Sequence, residues 1–254
     1  MKTLFISLLF LPLYMLGQTQ DTYTVFENGI LTANPAMITE FEAGLASHNQ
    51  KFHAEGLYGA RVYWISNGPN VGKYVWVMGP LPWSAFDQRP AQEGHDTDWN
   101  TNVLPYMLVE GDQDYWRFHP ELSNFPADFD LKNLLVFMVD IKRFQDMAFI
   151  DNVVKKVQKV YMEEYPEQTY GVYTNEMASA SGKDFAWVDF FSETSWLGRP
   201  DTFPQKFEAV HGAGSFASFL QDVETTTNGE VEEFWIFRED LSGLKARVAA
   251  VARQ

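Results

Sequence analysis

The 254-residue sequence contains no cysteine, and this absence excludes several kinds of chemistry before any motif is considered. Disulfide bonds, thiolate catalysis, cysteine-ligated zinc and iron–sulfur centres all require a thiol. A lipid anchor attached to an N-terminal cysteine is excluded for the same reason. The fold must therefore be held together by the packing of its core.

Basic residues are also scarce. Lys and Arg number 19 against 34 Asp and Glu, which gives a formal net charge of −15. A protein that binds nucleic acid or an anionic membrane surface usually presents a basic patch. We therefore expect neither partner. The acidic surface most simply keeps the protein in solution, although it would also suit a cationic partner.

Long apolar runs are missing everywhere except at the N-terminus. The chain begins MKTLFISLLFLPLYMLGQTQDT, in which Lys2 precedes an apolar run, Leu4 to Leu16, that ends at the small residue Gly17. This order of regions is typical of a signal peptide, and the run is shorter than the about 20 residues that span a bilayer. We expect residues 1–17 to be removed and the protein to be exported, periplasmic or extracellular, without a membrane anchor.

Aromatic residues, by contrast, make up 16% of the chain, and they occur in repeated phrases. DYWRFHPELS, from Asp114 to Ser123, recurs as EFWIFREDLS, from Glu233 to Ser242. LYGARVYWI and GKYVWVMG also recur, in the same order, as TYGVYTNEM and GKDFAWVDFF. Three repeats in one order favour a duplicated domain. We predict two units, residues 22–125 and 132–243.

Each unit is predicted to have the order strand, helix, strand, strand, helix, strand. In the first unit a strand at Thr22 to Glu27 precedes the pair Asn34-Pro35, which suits the start of a helix. The βαββαβ order is the ferredoxin-like pattern. Its sheet has one face covered by helices and one bare face, so two units must cover each other. The predicted fold class is α+β, with tandem ferredoxin-like repeats packed sheet to sheet.

Paired units of this kind resemble the dimeric α+β barrel superfamily, with both protomers fused into an intramolecular pseudo-dimer. The segment DTDWNTNVLPYM before the fourth strand is similar to the second helix of the antibiotic-biosynthesis-monooxygenase and NIPSNAP-like branches. The resemblance covers roughly Thr22 to Leu241, nearly all of the mature chain. It implies an apolar pocket between the helices and the sheet of a half-domain.

The resemblance leaves the activity open, because the superfamily includes cofactor-free monooxygenases, isomerases, polyketide cyclases, haem enzymes and proteins without known activity. Two functions are therefore expected. In the first, the protein binds a small apolar or aromatic molecule in the N-terminal half and has no assigned reaction. In the second, it is a cofactor-free monooxygenase or isomerase that uses His and Tyr side chains. No cofactor is expected in either case.

His48 is the candidate catalytic residue, because it lies on the apolar stripe of the first predicted helix where the second unit has Val160. A histidine facing a pocket can act as a general base near neutral pH. A hydrogen bond to a backbone carbonyl is the alternative. The expected ligand contacts are Tyr63, Trp76, Arg61 and Trp99. These aromatic residues could equally fill the interface between the sheets, and Arg61 could face outwards.

The other histidines indicate no metal site. His95 and His211 precede the second predicted helix of each unit in polar loops, whereas His53 and His119 are predicted to be exposed. The sequence contains no HExxH, His-x-His or paired acid–His spacing, so no metal ligand is predicted. Haem bound by His48 or His211 is the least favoured alternative, because no histidine motif of the haem branches is present.

Overall fold

The computed structural model describes residues 23–177 and 182–250. The predicted signal peptide, residues 1–17, lies outside them. None of the helices in the described ranges combines the length and the apolar character needed to cross a bilayer.

The first half of the chain consists of four strands and three helices. In chain order they are β1 Val25–Ala33, α1 Ile38–Phe52, β2 Ala60–Ile65, β3 Tyr74–Leu81, α2 Trp83–Asp87, α3 His95–Asn102 and β4 Met107–Phe118.

The second half repeats this succession, but its first helix is divided by a π-helical turn at Ile150–Val154 and one short strand is added before and one after the repeated elements. Its elements are β5 Phe129–Asp130, β6 Asn133–Ile141, α4 Asp146–Phe149, α5 Lys155–Glu164, β7 Thr169–Asn175, β8 Phe185–Phe191, α6 Phe203–His211, α7 Ser215–Thr226, β9 Thr227–Phe237 and β10 Arg247–Val248. The short strands β5 and β10 pair with each other.

Eight strands form one antiparallel sheet that closes on itself in the order β1-β3-β2-β9-β6-β8-β7-β4. Each half contributes four neighbouring strands. The halves meet where β2 pairs with β9 and where β4 pairs with β7. The predicted α+β class with a large antiparallel sheet is confirmed. The two half-sheets are joined through hydrogen-bonded edges, a contact that the face-to-face prediction did not include.

Side chains of these strands alternate between the barrel interior and the outer face, where the helices pack. The interior contains a buried cluster that includes Tyr63, Val75, Trp116, Val188 and Trp235. On the outer face of the first half, α1 packs against the sheet through Phe41, Leu45, Val62 and Tyr74. On the outer face of the second half the cluster includes Phe149, Val160, Tyr170, Phe207 and Phe219.

The repeated phrase has the same structural role in both halves. The Ser123 hydroxyl accepts a hydrogen bond from the backbone N–H of Val172 on β7 at 2.9 Å, and the Ser242 hydroxyl accepts one from Val62 on β2 at 2.8 Å. Each serine also donates to the backbone carbonyl four residues before it, at 2.7 Å in both cases. Each phrase therefore fastens its own half to a strand of the other half.

Candidate functional site

A cavity of about 760 Å³ lies between α1, α3 and the outer face of the sheet in the first half. Its wall combines large apolar side chains with polar groups. Among the lining residues are Leu31, Met78, Trp76, Trp99, His48, His53, His95, Glu27, Arg89 and Gln113. The cavity is therefore in the place that the family resemblance implies.

Two glycines bring the helices of the site together. A Cβ atom on Gly44 of α1 would lie 1.7 Å from the carbonyl oxygen of Asn102 at the end of α3, so only glycine allows the two helices to cross this closely. Gly94, which precedes α3, has φ of 83°, a left-handed conformation that favours glycine. The chain thus enters α3 beside the C-terminal end of α1.

His48 lies on the buried stripe of α1, together with Phe41, Leu45 and Phe52, and its exposed fraction is 1%. Its Nδ1 atom is 2.9 Å from Oδ2 of Asp98 on α3. Burial lowers the pKa of His48 below its ordinary value, although the hydrogen bond to Asp98 acts in the opposite direction. The ring is therefore held in one orientation and is neutral at neutral pH.

His53 follows the last residue of α1, and His95 is the first residue of α3. Nδ1 of His53 is 2.8 Å from the carbonyl oxygen of Tyr58, and burial lowers the pKa of His53 to about 4. Nδ1 of His95 is 2.9 Å from Oδ1 of Asp96, and the His95 side chain is 31% exposed. The Nε2 atoms of His53 and His95 are 3.3 Å apart.

Together His48, His53 and His95 form a cluster, called the histidine cluster below. One ligand nitrogen from each ring lies within 4.8 Å of the others. In each ring Nδ1 faces an oxygen acceptor, which leaves Nε2 as the nitrogen available to a ligand. The histidine cluster is therefore the group of residues at this site that could hold a metal ion.

Two of the predicted ligand contacts surround the histidine cluster. The ring centroids of His48 and Trp99 are 5.2 Å apart, and those of His53 and Trp76 are 5.1 Å apart. Trp76 is fixed by a hydrogen bond from its indole N–H to Oδ1 of Asn49, at 3.0 Å. The structure thus brings His48, Trp76 and Trp99 together, and their role as a ligand site stays a prediction.

Tyr63 and Arg61 do not join them. Val62 pairs with Trp76 across β2 and β3, so the neighbouring positions Arg61 and Tyr63 belong to the opposite face of the sheet. The prediction that Tyr63 and Trp76 line the same pocket was therefore wrong, because it assigned the two strands without fixing their register.

Tyr63 instead lines a second cavity, of about 450 Å³, inside the barrel. Its ring lies 6.0 Å from that of Trp235 and 5.7 Å from that of Phe237, and burial raises its pKa to about 12. Arg61 donates two hydrogen bonds of 3.2 Å to the carbonyls of Lys245 and Arg247. In this position Arg61 fastens the C-terminal segment rather than approaching the histidine cluster.

His53 and His95 were missed as site residues. The prediction that His53 is exposed was wrong, since the side chain is buried at the end of α1. It lies five residues after His48, a spacing that a continuous helix would turn away from the cavity, but α1 ends at Phe52. His95 is 42 residues further along the chain. Only the crossing of α1 and α3 brings the three rings together.

Haem, the least favoured alternative, stays a prediction. His48 is one of three imidazoles whose ligand nitrogens converge within 4.8 Å, whereas a haem iron can be held by a single proximal histidine. His211, the other histidine considered for haem, lies in the second half, and its Nε2 is 3.0 Å from the carbonyl oxygen of Lys156.

No family model matches the sequence, and no curated protein does. Solved structures do resemble it. A "putative monooxygenase" from Lactobacillus acidophilus NCFM has a TM-score of 0.54 at 13% identity, covering 90% of this chain and 100% of that one. An "anthrone oxidase-like protein" has a TM-score of 0.50 at 12% identity, and the match covers 91% of this chain and 95% of that one. A "putative chlorite dismutase", TA0507, has a TM-score of 0.50 at 9% identity, and the match covers 85% of this chain and 96% of that one. The chain therefore shares its fold with these three proteins.

Proposed function

We propose that the protein binds a small apolar or aromatic molecule in the cavity between α1, α3 and the sheet. The volume, about 760 Å³, is within the range of small-molecule sites, roughly 300–1,000 Å³. Trp76, Trp99 and Met78 offer flat or polarisable surfaces to an aromatic ligand. The histidine cluster supplies the polar groups that would orient it.

The observation that carries this proposal is a difference between two spaces built from the same elements. In the second half, the space between helices and sheet contains Phe207 and Phe219, whose ring centroids are 4.6 Å apart, and both are buried. In the first half the corresponding space is open and contains polar side chains. The fold does not require this opening, because side chains fill the corresponding space in the second half.

Three side chains on the wall of this cavity are suited to fixing a polar substituent of the ligand. Glu27 accepts hydrogen bonds from Arg89 and, at 2.6 Å, from Gln113. Glu27 is buried, whereas the Arg89 side chain is 45% exposed and can move. An anionic or hydroxyl group of the ligand would compete with Glu27 for these two donors.

A reaction is the second candidate function, namely oxidation or isomerisation of the bound molecule. Two of the resembling structures are described as a monooxygenase and an anthrone oxidase-like protein, which supports this direction. In the absence of a metal ion, His48, oriented by Asp98, is the residue that would accept a proton from a phenolic or enolic substrate.

Equilibrium dialysis with anthrone tests binding, and oxygen consumption in the same mixture tests turnover. We expect Trp99→Ala to weaken binding by about tenfold or somewhat less, the loss of one aromatic contact. Trp196→Ala is the matched control, because Trp196 stacks on Phe191 in the second half. Binding that is absent, or that falls equally in both variants, would contradict the proposal.

We further infer that residues 22–125 and 132–243 arose by duplication of one unit and that the protein is exported after removal of residues 1–17. The repeated phrases and the N-terminal sequence support these two points. Sequencing the N-terminus of the protein from its native host tests the second, and an intact Met1 would contradict it.

A further inference from the structure

We propose that His48, His53 and His95 bind one divalent first-row transition-metal ion of the zinc type, with an open coordination position directed at the cavity. What the metal would act upon rests on the function proposed above. Metal binding itself does not, since it depends only on the histidine cluster.

The hydrogen bonds fix which nitrogen of each ring is free. The carbonyl oxygen of Tyr58 can only accept a hydrogen bond, so Nδ1 of His53 must donate and Nε2 of the neutral ring keeps its lone pair. The carboxylates of Asp98 and Asp96 impose the same tautomer on His48 and His95. Metal-binding histidines usually have this arrangement, in which the other ring nitrogen donates to a carboxylate or a carbonyl.

With these tautomers, the lone pairs of His53 and His95 repel each other, and a bound cation would remove this repulsion. The Nε2 atoms of His53 and His95, each with a lone pair, face one another at 3.3 Å. Two lone pairs at this distance repel unless a positive charge lies between them. The ring of His48 is close to both, with centroids 4.8 Å from His95 and 5.4 Å from His53.

The spacing also suits a metal ion. Two ligands at about 2.1 Å from a tetrahedral zinc ion are about 3.4 Å apart, close to the 3.3 Å between His53 and His95. The widest separation among the three ligand nitrogens is no more than 4.8 Å. Small side-chain rotations would bring all three within bonding distance of one ion.

The ligands determine the class of metal. Three neutral imidazoles suit zinc, copper, iron or nickel, whereas magnesium and calcium prefer oxygen ligands. The nearby carboxylates are engaged elsewhere, since Asp96 and Asp98 bind the rings and Glu27 binds Arg89. Three protein ligands leave a fourth position for water or substrate, as in catalytic zinc sites. All three histidines line the cavity, so this position would be accessible from it.

The test uses the mature protein without a polyhistidine tag, stripped of metal with a chelator and titrated with Zn²⁺ alone by calorimetry. Visible absorption of added Co²⁺ reports the geometry of the same site. We expect one ion per chain. His95→Ala should weaken Zn²⁺ binding by about 100-fold or more, because the loss of a residue that only supports a ligand already costs about 10–100-fold.

His95→Ala is the main variant because His95 is the most exposed of the three rings and its loss leaves the core intact. Asp98→Ala, which removes the partner of His48 but no metal ligand, should weaken binding by about 10–100-fold. His119→Ala is the matched control. The ring of His119 contacts Glu121 and Thr174, and His119 is not part of the histidine cluster.

No uptake of Zn²⁺ or Co²⁺, or equal affinity in the wild type and His95→Ala, would overturn the proposal. So would NMR titration of the metal-free protein showing that the His53–His95 contact holds a proton while no metal displaces it. If metal binding fails but anthrone still binds, only this proposal is overturned. If Zn²⁺ binds but anthrone does not, the metal site stands and the proposed function fails.

Discussion

In the first half of the chain, α1 and α3 face the sheet across a cavity lined by histidines and tryptophans, whereas in the second half α5, α6 and α7 face it through packed phenylalanines. The strands beneath are arranged alike, since β4-β1-β3-β2 in the first half and β9-β6-β8-β7 in the second make equivalent pairs. The backbone architecture therefore does not determine whether this space is open. A small number of side chains does.

The ends of α1 and α5 show which side chains differ. His53 and Tyr165 each follow the last helical residue, with similar φ values of −130° and −139° and a backbone N–H bonded to the carbonyl four residues back. Counting from these ends, His48 corresponds to Val160, which is fully buried. Two of the three histidines are thus replaced in the second half, by Val160 and Tyr165.

The starts of α3 and α7 supply the third difference. Gly94 and Gly214 precede these helices with φ of 83° and 77°. His95 and Ser215 follow them directly, and Trp99 corresponds to Phe219. His211, which the sequence suggested as the counterpart of His95 in the second half, is instead the last residue of α6. The histidine cluster therefore has no counterpart at the matching positions of the second half, and one metal ion per chain is expected.

The largest effect should come from opening the packed half. Phe207→Ala removes a ring that is 1% exposed and contacts Phe203, Phe216 and Phe219. We expect a loss of about 3–5 kcal/mol in the free energy of unfolding. Trp99→Ala in the open half should cost less, since part of its ring borders the cavity. Urea unfolding of both variants measures the difference, and equal losses would show that the two spaces are packed alike.

The sequence predicted this fold well because the fold depends on patterns that are local or repeated. The stripe of Phe41, Leu45 and His48 follows helical spacing, and the phrase ending at Ser123 and Ser242 marks equivalent contacts. The α+β class followed from these patterns, whereas the expected place of the pocket came from the family resemblance.

The site was predicted only in part, because it depends on contacts that no local pattern encodes. The register of β2 against β3 separates Tyr63 from Trp76, and the hairpin loop between the strands left that register open. The end of α1 at Phe52 turns His53 inwards. The close crossing at Gly44 brings His95 to the other two rings. The prediction that no residue binds a metal rested on sequence spacing alone, and the geometry is the reason for replacing it with the proposal above.

The next largest effect should be a pH dependence of the free energy of unfolding that arises in the second half. Asp189 on β8 occupies the position in the second half that the buried Met78 occupies on β3 in the first half. Burial raises the pKa of Asp189 to about 7. The folded protein therefore holds a proton that the unfolded chain releases near pH 4. Stability should fall as pH rises from about 4 to about 7, by on the order of 2–4 kcal/mol.

Asp189→Asn tests this prediction, because the amide cannot ionise. The difference in unfolding free energy between variant and wild type should shift in favour of the variant between pH 5 and pH 8. Comparing the two proteins cancels the contributions of His48 and His53, whose lowered pKa values act in the acidic range. A difference that is constant with pH would show that Asp189 titrates normally.

The structural equivalence of the halves predicts a smaller, paired effect. Ser123→Ala and Ser242→Ala each leave one backbone N–H without its hydroxyl acceptor, that of Val172 or that of Val62. Each should lower the free energy of unfolding by about 1–3 kcal/mol, and the two losses should agree closely. Thermal unfolding of both variants gives the comparison. Markedly unequal losses would mean that the repeated phrase supports the two halves to different extents.

The smallest change in stability, and the sharpest test of the comparison, is expected for His48→Val, which copies the second half. Valine restores an apolar side chain on the buried stripe of α1 but leaves Asp98, which is largely buried, without the ring that it contacts. These effects oppose each other, so the free energy of unfolding should change by no more than about 1 kcal/mol. Zn²⁺ affinity, in contrast, should fall by about 100-fold or more, as for any direct ligand. If the folded variant keeps both metal and anthrone binding at the wild-type level, His48 is a structural residue, and the difference between the halves at this position has no functional meaning.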